Sequence, residues 1–291
     1  MQYRILATDL DNTLIPFDTA APRPAVLAAV KKLRAQGVPF VMATGRTFST
    51  MNANLRGKVR FYYAVCCNGG HITDATGKTL AETPLTNEEM YALVDFCEDY
   101  NYPLAFGYRD NYYAYTEYET IRDHYASVPG SMLTVLDGED QDRHLIDMPH
   151  AGFCMMPGAA LEQFRAKYGY LGLRFVQVGG VRGENREGWR HYDIVRQDVS
   201  KAAGLAQLCA LLQLPVETLV TAGDGENDVD MLQAAGLGCC MANGVPAAKA
   251  AAHRVIPDVR EDGLAALIEE LWFGGPAAVP SGKDYGPAKT V

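Results

Sequence analysis

The sequence predicts an α/β protein, a Rossmann-like doubly wound parallel-sheet core interrupted by an inserted α+β domain. Three observations carry that prediction. Strand and helix signals alternate through the first eighty residues, which is the βαβ pattern of a parallel sheet. The same rhythm resumes after "YDIVRQDVS", residues 192–200. Between the two stretches the character changes, and twelve of the sixteen tyrosines fall between Tyr91 and Tyr192.

Taken in order, "YRILATDL" (3–10) reads as a strand, "RPAVLAAVKKLRAQG" (23–37) as a helix ending at Gly37, and "PFVMATG" (39–45) as a second strand. A third apolar run, "FYYAVCCNGG" (61–70), leads into "HITDATGKTLAE" (71–82), whose central "ATGK" has the look of a hairpin turn. The helix "TNEEMYALVDFCEDY" (86–100) then precedes the short tyrosine-rich strands "PLAFGY" and "NYYAYT". The α/β pattern returns in "KAAGLAQLCALLQL", "ETLVTAGDG", "DVDMLQAAG", "LGCCMAN" and "DGLAALIEELW". One core, 1–84 with 193–273, is therefore expected to carry an insert, 85–192, between two hinge linkers. Residues 274–291, rich in Gly, Pro and Ala, read as a flexible tail.

The bulk composition narrows the function. A chain of 291 residues, 48% hydrophobic and 21% charged, has the material for a substantial globular core. Its formal charge of −9, without a basic stripe, argues against nucleic acid or an anionic membrane as partner. No run approaches a membrane span, and "MQYRILATDL" reaches acidic residues too early for a secretory signal, so a cytoplasmic location is expected. Seven cysteines without CxxC spacing point to small buried thiols rather than disulfides or zinc. The six histidines (His71, His124, His144, His150, His191 and His253) show no metal spacing and read as structural or exposed.

Open parallel sheets bind ligands beyond the carboxyl ends of their strands. Polar residues stand at four such ends: Asp9 and Asp11; Thr44, Gly45 and Arg46; Asn68, Gly69 and Gly70; and Asp224 with Gly225. The segment "GDGENDVDM" (223–231) adds Glu226, Asp228 and Asp230. So many acids near one point repel one another, and a hard divalent cation such as Mg²⁺ relieves that repulsion. Glu226 and Asp230 also suit the first turn of the following helix, where the macrodipole favours negative charge. Lys201, at the start of another helix, is disfavoured by that dipole and calls for an anion nearby.

In this order, "DLDNTL" (9–14), "TGR" (44–46), Lys201 and "GDGENDVDM" resemble the four motifs of the haloacid dehalogenase-like (HAD) phosphatase superfamily. The large insert resembles the C2B cap of its Cof-like, type IIB branch. Asn12 stands where many members have Gly, and Asn tolerates left-handed geometry. The resemblance implies that Asp9 is a nucleophile forming an aspartyl phosphate and that Asp11 is the general acid and base. Two carboxylates at i and i+2 of an extended segment point the same way, so one phosphate could meet both. It further implies Mg²⁺ held by Asp9, Asp224 and the backbone carbonyl of Asp11, with Asp228 in support. Thr44, the Gly45 amide and Lys201 would bind phosphoryl oxygens, with Asn227 contacting phosphate or orienting the metal shell and Asn68 at the rim. Arg46 is read either as a substrate contact or as a surface charge, and "MANG" (241–244) as a loop near the site.

The expected substrate is a small phosphorylated metabolite, a sugar phosphate, nucleotide or phosphorylated cofactor, and the expected protein a monomer or homodimer. Arg109, Arg182, Glu184 and Arg186, in polar loops of the insert, are candidates to contact it, and the insert's tyrosines either pack the cap or line a substrate roof. A phosphomutase on the same core, a receiver-like binding module and a catalytically idle ligand sensor are the alternatives. The mutase is weakened by the cap type and the receiver by the presence of Asp11 and a hundred-residue insert. The sensor is weakened by the complete motif set.

Overall fold

The computed structural model describes residues 2–19, 21–51, 53–126, 135–138, 143–180 and 187–281. The first part of the chain forms β1 (Ile5–Thr8), α1 (Pro24–Ala35), β2 (Phe40–Ala43), α2 (Ala53–Lys58), β3 (Tyr63–Cys66), β4 (His71–Asp74) and β5 (Thr79–Glu82). The last part forms α6 (Lys201–Leu211), β12 (Leu219–Gly223), α7 (Val229–Ala234), β13 (Leu237–Met241), α8 (Pro246–Ala251), β14 (Arg254–Ile256) and α9 (Gly263–Phe273). Together they build one sheet in the order β14-β13-β12-β1-β2-β3-β4-β5. Its first six strands are parallel, and β4 and β5 close the edge as an antiparallel hairpin.

Alternation along the strands dictates the double winding. Leu6, Phe40 and Met42 face one side and pack with Val30 and Leu33 of α1 and Leu264 and Ile268 of α9. Ile5, Ala7, Val41 and Val65 face the other and pack with Leu205 and Leu208 of α6 and Met231 of α7. Strands buried on both faces read as continuous apolar runs, which is why they are visible in the sequence. The 71–82 hairpin turns at Gly77, whose φ is +91°.

The intervening segment forms α3 (Asn87–Tyr100), β6 (Leu104–Gly107), β7 (Tyr112–Thr116), α4 (Tyr118–Ala126), β8 (Val135–Asp137), β9 (Ala151–Pro157), α5 (Gly158–Tyr168), β10 (Arg174–Gly180) and β11 (Trp189–Val195). Thr86 starts α3 with a full capping box, its hydroxyl accepting from the Glu89 amide and the Glu89 carboxylate accepting from the Thr86 amide. The six strands make a second sheet, ordered β10-β11-β9-β6-β7-β8. One face packs Phe106, Tyr192 and Ile194 against Phe96 and Phe164 of α3 and α5, with edge-to-face rings between Phe96 and Phe164. The other face carries Ala105, Tyr112 and Phe153. Residues 193–195, expected to open the second core segment, instead complete β11, because the pairing of β11 with β9 continues through Ile194.

All seven cysteines are buried and free. Cys239 and Cys240 lie in β13, whereas Cys67 leaves the strand after Cys66 with φ +51°. No helix among the described residues is long and apolar enough to cross a membrane.

Three histidines are buried as neutral rings. His71 and His150 stack at 4.8 Å where the two sheets meet, with His71 Nε2 against Thr79 and His150 Nε2 against Glu82. Burial, with His150 beside it, pushes His71 down to about 4, and burial with His124 nearby pushes His191 down to about 3. Both folded values lie below the ordinary 6.5, so the unfolded chain binds protons first, and each ring's contribution is lost as pH falls from 6.5. Between pH 6.5 and 5 this amounts to on the order of 2 kcal/mol for each of these two histidines. Buried carboxylates whose folded values are raised act with the opposite sign, so the test is a difference. Measured by urea unfolding at pH 7 and pH 5, wild type should lose about 2 kcal/mol relative to His191→Phe on acidification. A pH-independent difference would remove His191 from this role.

Candidate active site

Four strand ends of the larger sheet meet at one place. β1 delivers Asp9, β2 delivers Thr44 to Arg46, β3 delivers Cys67 to Gly70, and β12 delivers Asp224. Asp9, Asp224 and Asp228, all buried, each offer an oxygen within 4.8 Å of the others. Lys201, the first residue of α6, reaches into the middle of them. Its Nζ donates to Asp9 Oδ1 at 2.5 Å and to Asp228 Oδ1 at 2.7 Å, with none of its side chain exposed. The helix begins there because Ser200 caps it, its hydroxyl accepting from the Ala203 amide.

The carboxylate oxygens are not equally committed. Asp228 Oδ2 accepts from the amides of Asp224 and Gly225, each at 2.8 Å, so both oxygens of Asp228 are used. Asp224 Oδ1 accepts from the Thr13 hydroxyl at 2.8 Å. Asp9 Oδ2 and Asp224 Oδ2 accept no hydrogen bond among the described residues. Burial lifts the Asp9 carboxyl to about 7 against the pull of Lys201, with Asp228 and Asp11 adding to the rise. Burial, with Asp9 and Asp228 beside it, also raises Asp224 well above the usual carboxylate range. Burial opposes the charge on Lys201, but Asp228 and Asp9 outweigh it and hold the ammonium above its ordinary value.

Three carboxylates around a single ammonium would, if all ionised, leave two negative charges uncompensated, which is why Asp9 and Asp224 resist ionisation here, and the two oxygens without hydrogen bonds belong to different acids. This donor set fits a hard divalent cation that takes one or two carboxylates and completes its shell with water and substrate.

Asp11 stands differently. β1 stops at Thr8, and Asp11 sits on a turn closed by a bridge to Ile15 and by the Asn12 amide donating to the Ile15 carbonyl at 2.7 Å. The turn, rather than a continuing strand, therefore sets the relation of Asp9 to Asp11. Asn12 takes φ +59°, and its carbonyl is held by Asn243 Nδ2 at 2.9 Å. The Asp11 carboxylate is gripped at both oxygens by the Arg46 guanidinium, at 2.7 and 3.0 Å. Arg46 is thus no surface charge. Burial opposes its charge, and Asp11 raises it above the ordinary value.

Thr44 Oγ1 accepts from the Arg46 amide at 3.1 Å, which fixes the turn after β2. After β3, Cys67, Asn68 and Gly69 run through consecutive positive φ values of 51°, 51° and 112°. Left-handed geometry at two successive non-glycine residues, Cys67 and Asn68, is a local strain that the surrounding structure has to hold in place. At Gly69 a side chain is also excluded by space, since a Cβ would lie 2.1 Å from the Ser200 carbonyl oxygen. The loop presents Asn68, whose Nδ2 donates to Asp193 Oδ2 at 2.6 Å and whose Oδ1 accepts from Asn227 Nδ2 at 3.0 Å. Tyr112, from the second sheet, donates its hydroxyl to the Gly45 carbonyl at 3.1 Å.

The structure thus draws Asp9, Asp224, Asp228 and Lys201 into one cluster, with Asp11 and Arg46 as a pair beside it and Asn68 and Asn227 joined at its edge. Glu226 is exposed, and Asp230 pairs with Arg174 at 2.9 Å, so neither joins the cluster. Arg109 is engaged by Glu82 in a two-pronged pair. Arg182, Glu184 and Arg186 lie outside the described residues. Sequence reasoning passed over Thr13, Tyr112 and Asp193, and placed Asn243 only in a nearby loop. Asp193 left one signal, a carboxylate inside the strand-like "HYDIV".

A family model described as haloacid dehalogenase-like hydrolase matches residues 6–268. The chain is 28% identical over 279 residues to the 5-amino-6-(5-phospho-D-ribitylamino)uracil phosphatase YitU of Bacillus subtilis, covering 92% of this chain and 97% of that one. It is also 28% identical over 284 residues to a phosphoglycolate phosphatase of Methanosarcina acetivorans, covering 94% and 99%. Among solved structures, the subclass IIB sugar phosphatase BT4131 superposes with a TM-score of 0.77 at 19% identity, over 92% of this chain and 98% of that one.

The Lys201 geometry generates a stability prediction. Lys201→Met removes the ammonium between the buried Asp9 and Asp228, and breaking such a pair costs about 3–5 kcal/mol. Urea unfolding at pH 8 without divalent cations should show that loss, and Lys201→Met/Asp228→Asn should recover part of it. A Lys201→Met protein as stable as wild type would contradict the charge arrangement described.

Proposed function

The chain belongs to the haloacid dehalogenase-like hydrolase family, and on that premise we propose that it is a Mg²⁺-dependent phosphatase of a small phosphorylated metabolite, working through an aspartyl phosphate on Asp9. The observation that carries this reading is the Asp9, Asp224, Asp228 and Lys201 cluster at the carboxyl ends of β1 and β12. Mg²⁺ would be held by Asp9, Asp224 and the backbone carbonyl of Asp11, with Asp228 fixing the loop through the Asp224 and Gly225 amides. When bound, the ion supplies positive charge that lets two anions approach each other.

Asp9 attacks the phosphorus with one carboxylate oxygen while Lys201 holds the other. Asp11 donates a proton to the departing oxygen and later takes one from the hydrolytic water. To do so Asp11 must let go of Arg46, and an arriving phosphoryl group offers the guanidinium an alternative bidentate partner. Arg46 then serves twice, orienting Asp11 in the free enzyme and binding phosphate in the complex. Thr44 and the Gly45 amide supply further donors to the phosphoryl oxygens, and Asn68 and Asn227 border the leaving group. The second sheet, placed over this edge by Tyr112 and Asp193, acts as a cap that excludes water and selects the substrate. The relatives' names include a phosphorylated ribitylaminouracil and phosphoglycolate, so the class of small phosphomonoesters is what they support.

Phosphate release should be measured with Mg²⁺ and with EDTA across sugar phosphates, nucleotides and phosphorylated vitamins. Turnover is expected only with the metal. Asp9→Asn should abolish it, by about 10,000-fold or more, as removal of a nucleophile does elsewhere. Asp11→Asn should lower kcat by roughly 100- to 10,000-fold, the range of general acid–base catalysis. Undiminished release by Asp9→Asn would refute the covalent mechanism, and silence across the panel would favour a ligand sensor.

A further inference from the structure

Asp193 is a carboxylate that the proposed reaction leaves unused. It lies on β11 between Tyr192 and Ile194, which point into the cap's own core, so Asp193 points the other way. A Cβ added to Gly45 would lie 3.1 Å from Asp193 Oδ2 and 3.2 Å from Asn68 Nδ2. Gly45 is absent from the residues with positive φ, so the glycine is there for space. The Asp193 carboxylate therefore rests directly on the turn that carries Thr44, Gly45 and Arg46.

An anion placed beside an anion-binding turn has to be compensated. The nearby cations are engaged elsewhere, Lys201 by Asp9 and Asp228 and Arg46 by Asp11. His191, two residues before it on the same face of β11, is held neutral by burial. The Tyr112 hydroxyl donates to the Gly45 carbonyl, and the Tyr125 hydroxyl lies against His191. Asn68 satisfies Oδ2 alone, and Oδ1 accepts no hydrogen bond among the described residues. A half-buried carboxylate with one open oxygen, close to Tyr112 and Tyr125, is built to receive a donor.

Resting on the phosphatase reading above, we propose that Asp193 is a specificity-determining residue of this enzyme. Its Oδ1 accepts a hydrogen bond from a hydroxyl or ammonium group near the phosphoester of the substrate, and its charge rejects leaving groups that carry a second anion. Through Oδ2 of the same carboxylate, the Asn68–Asn227 link ties Asp193 to the loop of Asp228, so the group being read and the phosphorus being attacked are set in one frame.

The experiment compares kcat/KM for four small esters: glycerol 1-phosphate with neutral donors, phosphoethanolamine with an ammonium, propyl phosphate with neither, and 2-phosphoglycolate with a carboxylate. Wild type should favour a donor-bearing ester over propyl phosphate and disfavour 2-phosphoglycolate. In Asp193→Ala the ratio of the donor-bearing ester to propyl phosphate should fall roughly 10- to 100-fold, the worth of a charge-assisted hydrogen bond, and the relative rate on 2-phosphoglycolate should rise. Asp193→Asn, whose amide oxygen still accepts from Asn68, turns an N–H toward the substrate and separates the donors: a hydroxyl ester, which can accept from that N–H, keeps its preference, and an ammonium ester, which cannot, loses it. Ratios in Asp193→Ala equal to those of wild type, with all four esters falling together, would mean a structural role and overturn this inference alone. Absence of Mg²⁺-dependent turnover of any ester by wild type would overturn the phosphatase reading and this one with it.

Discussion

The constraint on which the rest of this structure depends is charge confined without water. Three carboxylates and one ammonium occupy the space beyond β1 and β12, all buried. Ionised acids in such a place are expensive to desolvate, and one lysine does not cancel them. The surroundings are arranged accordingly. Asp228 is held by two amides, Asp224 by a threonine, and Asp9 by the lysine, so the geometry survives while burial resists the ionisation of Asp9 and Asp224. A cluster whose acids ionise only at a cost fits the divalent cation proposed above and, behind it, an anionic substrate.

The sheet explains why so little backbone is needed to assemble the site. Parallel neighbours end on the same side, so β1, β2, β3 and β12 each contribute only the first few residues after the strand. Close approach does the rest. Gly69 admits the Ser200 carbonyl against the loop after β3, and Gly204 on α6 faces Gly69 itself, so the helix that carries Lys201 is seated on the loop that carries Asn68. The second sheet reaches the same place through side chains, Tyr112 and Asp193, which set its strands over the reacting edge.

Much of this is legible in the sequence, for identifiable reasons. β1 and β2 show because both their faces are buried, the 71–82 hairpin because Gly77 supplies a left-handed turn, and α3 because Thr86 and Glu89 form a reciprocal cap. Asp9, Asp224, Asp228 and Lys201 stand out as charges placed where apolar runs end. Other features depend on distances that no local pattern encodes. The partner of Arg46 is 35 residues away, and their pairing follows from two turns meeting in space. Asp193 looks like any alternating strand residue until β11 is placed over Gly45. The end of β11 at Val195 is decided by its pairing with β10, through Arg174, not by its own composition.

One feature of the connectivity bears on how such enzymes diversify. From Asp193 the chain runs through the end of β11 and a short turn straight into Lys201. Asp193, proposed above to read the leaving group, and Lys201, the ammonium beside Asp9, thus travel on a single nine-residue cassette. A recombination event that exchanged this cassette between relatives would transplant selectivity together with the charge that the chemistry requires. Exchange of the rest of the cap alone, between α3 and β10, would alter the roof while leaving that inherited pairing intact.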